Sequence, residues 1–100
     1  MASIRLLKRA MDDLARFASH MKEYGAEEVT SRIHDVVDAI DVLKHTPEMG
    51  RPVGGGRREL LIGHGVRGYV AQYRYVARND TVHVLAVRAQ RESGYKHKRR

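Results

Sequence analysis

The hydrophobic period of this chain changes once, between Pro47 and Gly56, and does not change back. That switch limits the available folds more than any other feature, because a 3.6-residue period and a two-residue period bury different kinds of face. Before it, Leu7, Ala10, Leu14, Phe17 and Met21 fall on one helical stripe within residues 6–24, with Arg9, Asp13, Arg16 and Glu23 elsewhere on the wheel. Gly25 supplies a stop. Residues 26–44 repeat the pattern, with Val29, Ile33, Val36, Ile40 and Leu43 as the seam and Asp35, Asp38 and Asp41 off it. Pro47 cannot continue that helix. Two seams joined by a short glycine link predict an αα-hairpin whose apolar faces form core.

After the switch the chain reads as three extended runs, residues 58–62, 69–77 and 81–88. A glycine-rich loop joins the first two, and Arg78-Asn79-Asp80 makes a tight turn before the third. In the third run Val82, Val84 and Ala86 share a face, with Arg88 falling in at its end, while His83, Leu85 and Val87 take the other. A strand apolar on both faces belongs inside a sheet. Ser3-Ile4-Arg5-Leu6 is compatible with a short leading strand, and residues 46–56 are expected to form a flexible connection. The Gly54-Gly55-Gly56 run lacks the Gly-Lys-Ser/Thr ending and the preceding strand of a phosphate-binding P-loop. The expected fold is α+β, in the order (β)-α-α-β-β-β, with the helical hairpin packed on one face of an antiparallel sheet. Residues 1–100 are expected to form one domain, with residues 96–100 as a basic mobile tail.

Charge divides along the same line. Residues 1–50 hold seven Lys/Arg against nine Asp/Glu, and residues 51–100 hold twelve against three. A basic half calls for an anionic partner, nucleic acid or acidic protein. Each extended run carries or ends in arginine, a residue suited to phosphate and carboxylate. Tyr69, Tyr73 and Tyr75 share one face by alternation and read as an aromatic packing row. The chain has no cysteine, and its six histidines show no ligand spacing, so no metal or other cofactor is expected. No apolar run approaches the roughly 18–20 residues of a membrane span. No signal-peptide core is visible, and a cytoplasmic location without a membrane partner is expected.

The ordered set Ala10-x-x-x-Leu14, Pro47-x-x-Gly50, Arg58-Glu59-Leu60, Tyr69-Val70-x-x-Tyr73-Arg74 and Val84-Leu85-Ala86-Val87-Arg88-x-Gln90-Arg91-Glu92-x-Gly94-Tyr95 resembles the RelE/ParE superfamily of type II toxin–antitoxin toxins. The resemblance covers nearly the whole chain. It implies a growth-arrest toxin held by an acidic, partly disordered antitoxin in a heteromeric complex. RelE-like members cut mRNA in the ribosomal A site, whereas ParE-like members inhibit DNA gyrase without catalytic residues. RNA cleavage would require cations against the phosphate and a base and acid for proton transfer. On that reading Arg58, Arg88 and Arg91 would meet phosphate, and Tyr95 or Glu59 would move protons. Arg57, Arg67, Arg74, Tyr75 and Lys96 are the candidates for contacting target or antitoxin. Two departures count against a full RelE-type site: its central-strand arginine falls on Val70, and a position that is often histidine is Ala89. The resemblance therefore leans toward a gyrase-type target, with the ribosome-acting RNase, or an attenuated toxin that only binds antitoxin, as the alternatives.

Overall fold

The computed structural model describes residues 1–63 and 68–90. Its elements are β1 (Ser3–Leu6), α1 (Lys8–His20), α2 (Ala26–Asp41), β2 (Arg51–Gly54), β3 (Arg57–Ile62), β4 (Tyr69–Val76) and β5 (Thr81–Ala89). Short 3₁₀ turns follow both helices and β4. The strands form one five-stranded sheet in the order β1-β5-β4-β3-β2. The helices cover one face, α1 against β5 and α2 against β3.

The α+β layering is as expected, and the helices start and stop close to their signals. Gly25, at φ 93°, makes the link between them in a conformation that costs a side-chain-bearing residue energy. Two features extend the sequence reading. The leading strand is real and lies parallel to β5, with Ile4 opposite Val82 and Leu6 opposite Val84, so the sheet is mixed. The stretch expected to be a loop contains β2, paired antiparallel to β3 across a glycine turn. Its proline hid it, but an edge strand tolerates proline because one row of its amides needs no ladder partner.

The core sits between helices and sheet. Ala10, Phe17 and Met21 of the first helical segment, Val36, Ile40 and Leu43 of the second, and Leu60, Ile62, Ala71, Tyr73, Val82, Val84 and Val87 of the sheet are buried there. Tyr69 and Tyr75 pack against this cluster, and Phe17 meets Tyr69 with ring centroids 5.2 Å apart. The tyrosine row therefore lies on the helix-covered face.

One irregularity decides what the other face carries. Opposite Gln72 and Tyr73 of β4, β5 presents Ala86 and Val84, so Leu85 is an extra residue and β5 bulges. A bulge exchanges the faces of everything beyond it. Val87 thereby enters the core in place of Ala86, and Arg88 turns to the open face, contrary to simple alternation. Asp13 holds the bulge: it is 3% exposed, and its Oδ2 accepts the Val87 N–H at 2.9 Å. The sequence reading placed Asp13 off the seam. It lies three residues after Ala10 and four before Phe17, at the margin of the buried stripe.

Candidate functional site

The face away from the helices is built from the residues that alternate with the core positions. Register places Arg57, Glu59 and Leu61 of β3, Val70, Gln72 and Arg74 of β4, and His83 and Arg88 of β5 on it. Arg5 of β1 joins them opposite His83, and Arg51 of β2 joins them opposite Glu59.

Glu59 is the centre of the better-ordered part. Its side chain is 11% exposed and lies between two guanidiniums, Arg51 Nη2 at 3.1 Å and Arg88 Nη2 at 3.2 Å. Arg88 starts on β5 and crosses β4 to reach β3, a geometry available only because the bulge turned it outward. Each guanidinium takes a different carboxylate oxygen, Arg51 meeting Oε1 and Arg88 meeting Oε2. In this arrangement Glu59 orders the two cations around it.

Arg58 points the other way. It pairs in register with buried Tyr73, and its Nη1 donates to the Glu48 carbonyl at 2.9 Å and the Gly50 carbonyl at 2.8 Å. The Gly50 N–H in turn donates to the Tyr73 hydroxyl at 2.8 Å. Burial pushes the Tyr73 hydroxyl upward from its ordinary pKa, against the lowering effect of the Gly50 hydrogen bond. Arg58 and Tyr73 thus fasten the segment leading into β2. Gly50 must be glycine here, because a Cβ would stand 2.7 Å from the Tyr73 ring and hydroxyl and 2.9 Å from the Glu59 carbonyl.

The candidates named from sequence therefore separate. Glu59 and Arg88 are brought into contact, while Arg58 lies on the opposite face and is bonded to backbone. Arg57 and Arg74 are register partners on the open face. Tyr75 is on the helix-covered side, where its hydroxyl donates to Asp80 Oδ1 at 2.7 Å, a bond that raises its pKa. Asp80 is the turn residue with φ 52°, as its place in the predicted turn requires. Arg67, Arg91, Tyr95 and Lys96, and with them the expected tail, lie outside the described residues. Arg5, His83 and Arg51 were missed, because their position depends on β1 pairing with β5 and on β2 existing at all.

On the helical side, a cavity of about 580 Å³ opens between α2 and the ends of β3 and β4, lined by Glu28, Ser31, Arg32, Asp35, Asp38, Ala39, Ile62, Gly63 and Tyr69. Arg32 Nε donates to Glu28 Oε2 at 2.6 Å, and that bond holds the guanidinium above its ordinary pKa. The molecule is thus acidic along α2 and basic on the open sheet face. No cluster of three His, Asp or Glu among the described residues could hold a metal ion. No helix in the described residues is long and apolar enough to cross a membrane.

A mixed sheet with a helical hairpin on one face and arginines on the other defines the class to which the comparisons point. The family model of the ParE toxin of type II toxin–antitoxin systems, parDE, matches residues 4–94. The chain belongs to that family. Among solved structures it is similar to a chromosomal ParDE toxin–antitoxin system from P. aeruginosa, at TM-score 0.76 and 22% identity, covering 89% of this chain and 96% of that one. It is also similar to the RelBE2 toxin–antitoxin complex from Mycobacterium tuberculosis, at TM-score 0.59 and 19% identity, covering 89% of this chain and 98% of that one. At these identities the two structures establish the shared fold. Comparison with curated proteins gives no match.

Proposed function

We propose that this ParE-family toxin arrests growth by binding DNA gyrase, and that it acts without chemistry of its own. The observation that carries this reading is the state of the residues an RNase would need. Glu59, the carboxylate available as a base among the described candidates, lies between Arg51 and Arg88. Both of its oxygens are engaged by guanidiniums, Oε1 by Arg51 and Oε2 by Arg88, so neither is presented to a substrate hydroxyl as a general base must be. Arg58 is bonded to two backbone carbonyls rather than directed at a ligand. Val70 and Ala89 occupy the positions where RelE-like relatives place further site residues. Among the described residues what remains is a basic surface, and a surface suffices for a protein that works by binding.

An acidic antitoxin fits the same surface. A partner bringing carboxylates to Arg57 and Arg74 would neutralise cations that stand side by side in the ladder, and its binding should weaken as salt is added. Both solved structures described above are toxin–antitoxin assemblies, which supports a heteromeric complex for this chain. Two assays on the purified protein test the target. Gyrase supercoiling and cleavage should respond to it, and primer extension on mRNA in a translation extract should show no new cuts. Cuts between codons with unaffected gyrase would establish the RelE-like endonuclease instead.

A further inference from the structure

Arg5, His83, Arg74 and Arg57 are consecutive register partners, Arg5 opposite His83, His83 opposite Arg74, and Arg74 opposite Arg57. They make a single row that runs across β1, β5, β4 and β3, at right angles to the strands. Neighbouring strands lie about 4.8 Å apart, so the row is about 14 Å long. All four lie on the open face, since the residues flanking them, Ile4 and Leu6, Val82 and Val84, Tyr73 and Tyr75, belong to the core side.

Like charges directly opposite one another destabilise a sheet. A single carboxylate, Glu59, pairs with both other arginines of this face, Arg51 and Arg88. Among the described residues Arg5, Arg74 and His83 have no such partner, and the Arg57 Nε donates to the Gly54 carbonyl at 3.3 Å. The glycine turn at the end of the row leaves the approach open: a Cβ on Gly54 would meet nothing within 4 Å.

We propose that this row binds the sugar–phosphate backbone of duplex DNA directly. Three properties of the face select that partner. The row itself is entirely polar, and Leu61, the exposed large apolar side chain of this face, lies four residues along β3 from Arg57. A disordered antitoxin that reaches Arg57 and Arg74 would need apolar contacts beyond the row to offset the entropy of ordering, whereas a duplex arrives already ordered. Tyr69, Tyr73 and Tyr75 all face the helices, so among the described residues the row offers the His83 imidazole as its one ring, too few to stack successive unpaired bases, which argues against a single strand. The acidic residues of α2, Glu27, Glu28, Asp35, Asp38 and Asp41, lie in the other layer, so a polyanion is steered to the sheet side. Backbone contacts of this kind carry no sequence information.

The test is fluorescence anisotropy of a mixed-sequence duplex titrated with the full chain over a series of salt concentrations. Each phosphate neutralised contributes a slope of about −0.9 to log K against log salt. The triple variant Arg5→Gln, Arg57→Gln, Arg74→Gln should flatten the slope by about 2.7, and each single variant by about 0.9. Lys22→Gln, on the helical side, should leave it unchanged. Single variants with native circular dichroism keep the comparison valid if the triple variant fails to fold. Equal slopes in wild type and folded variants would overturn the proposal. So would binding of polyglutamate with no binding of duplex, which would assign the face to an acidic protein. The measurement contains no gyrase, so its failure leaves the target reading standing, and failure of the gyrase assays leaves this one standing.

Discussion

Replacing Asp13 with alanine should destabilise the protein by about 2–3 kcal/mol and loosen the bulge that turns Arg88 outward. Val87 lies two residues beyond the bulge, opposite Ala71, and its amide donates to Asp13 at 2.9 Å. A hydrogen bond to a charged group contributes about 1.5–3 kcal/mol, and an orphaned buried donor costs about 1–3 kcal/mol. These describe the same loss and do not add. The nearby guanidiniums, Arg16 at 3.2 Å and Arg9 at 3.7 Å, are largely in water and contribute little. Asp13→Asn retains an acceptor for Val87 but turns a donor toward Arg16, so it should cost about 1 kcal/mol. Urea denaturation gives the stabilities, and hydrogen exchange at Val87 gives the mechanism. Exchange there should accelerate in Asp13→Ala beyond what the global loss explains. A change under about 0.5 kcal/mol with Val87 still protected would refute the assignment.

Gly50→Ala should cost roughly 1–3 kcal/mol through overpacking against Tyr73, read as a lowered urea midpoint with an unchanged m-value. Tyr73→Phe should cost about 1–2 kcal/mol, because the Gly50 N–H loses its acceptor. Because burial raises the folded-state pKa of Tyr73 above its unfolded value, its contribution is intact below about pH 10 and declines as pH rises through the folded value. Wild-type stability should therefore fall in alkaline solution more steeply than that of Tyr73→Phe, and parallel curves would contradict the assignment. A double-mutant cycle between Glu59 and Arg88 should return a coupling of about 0.5–1 kcal/mol in the same denaturation assay, and zero coupling would mean the bridge across β4 is not formed in solution.

The helices were legible because their seams repeat over several turns and end at Gly25 and Pro47. The three long strands were legible from β-branched and aromatic runs bounded by turn residues. β2 was not, because a four-residue edge strand containing proline carries no periodic signal and exists only through its pairing with β3. The bulge at Leu85 was not legible either, and it reversed the face of Arg88. Its trace was Asp13, a carboxylate at helical spacing from Ala10 and Phe17, where a buried charge needs a partner. Arg58 and Glu59 illustrate the same limit. Adjacent in sequence, both looked available for phosphate chemistry, but alternation sends one to a backbone clamp and the other to an ion-paired centre. The row from Arg5 to Arg57 is a property of register across four strands, which no local pattern encodes.

The central claim is that the protein acts by binding gyrase and not through Glu59 as a base. A gyrase supercoiling titration with wild-type protein and with folded Glu59→Gln, alongside primer extension on mRNA, tests it most directly. The account predicts that both proteins inhibit supercoiling, with midpoints within about threefold of each other, and that neither produces mRNA cuts. Cleavage by wild type that disappears in Glu59→Gln, with gyrase unaffected by either, would contradict it.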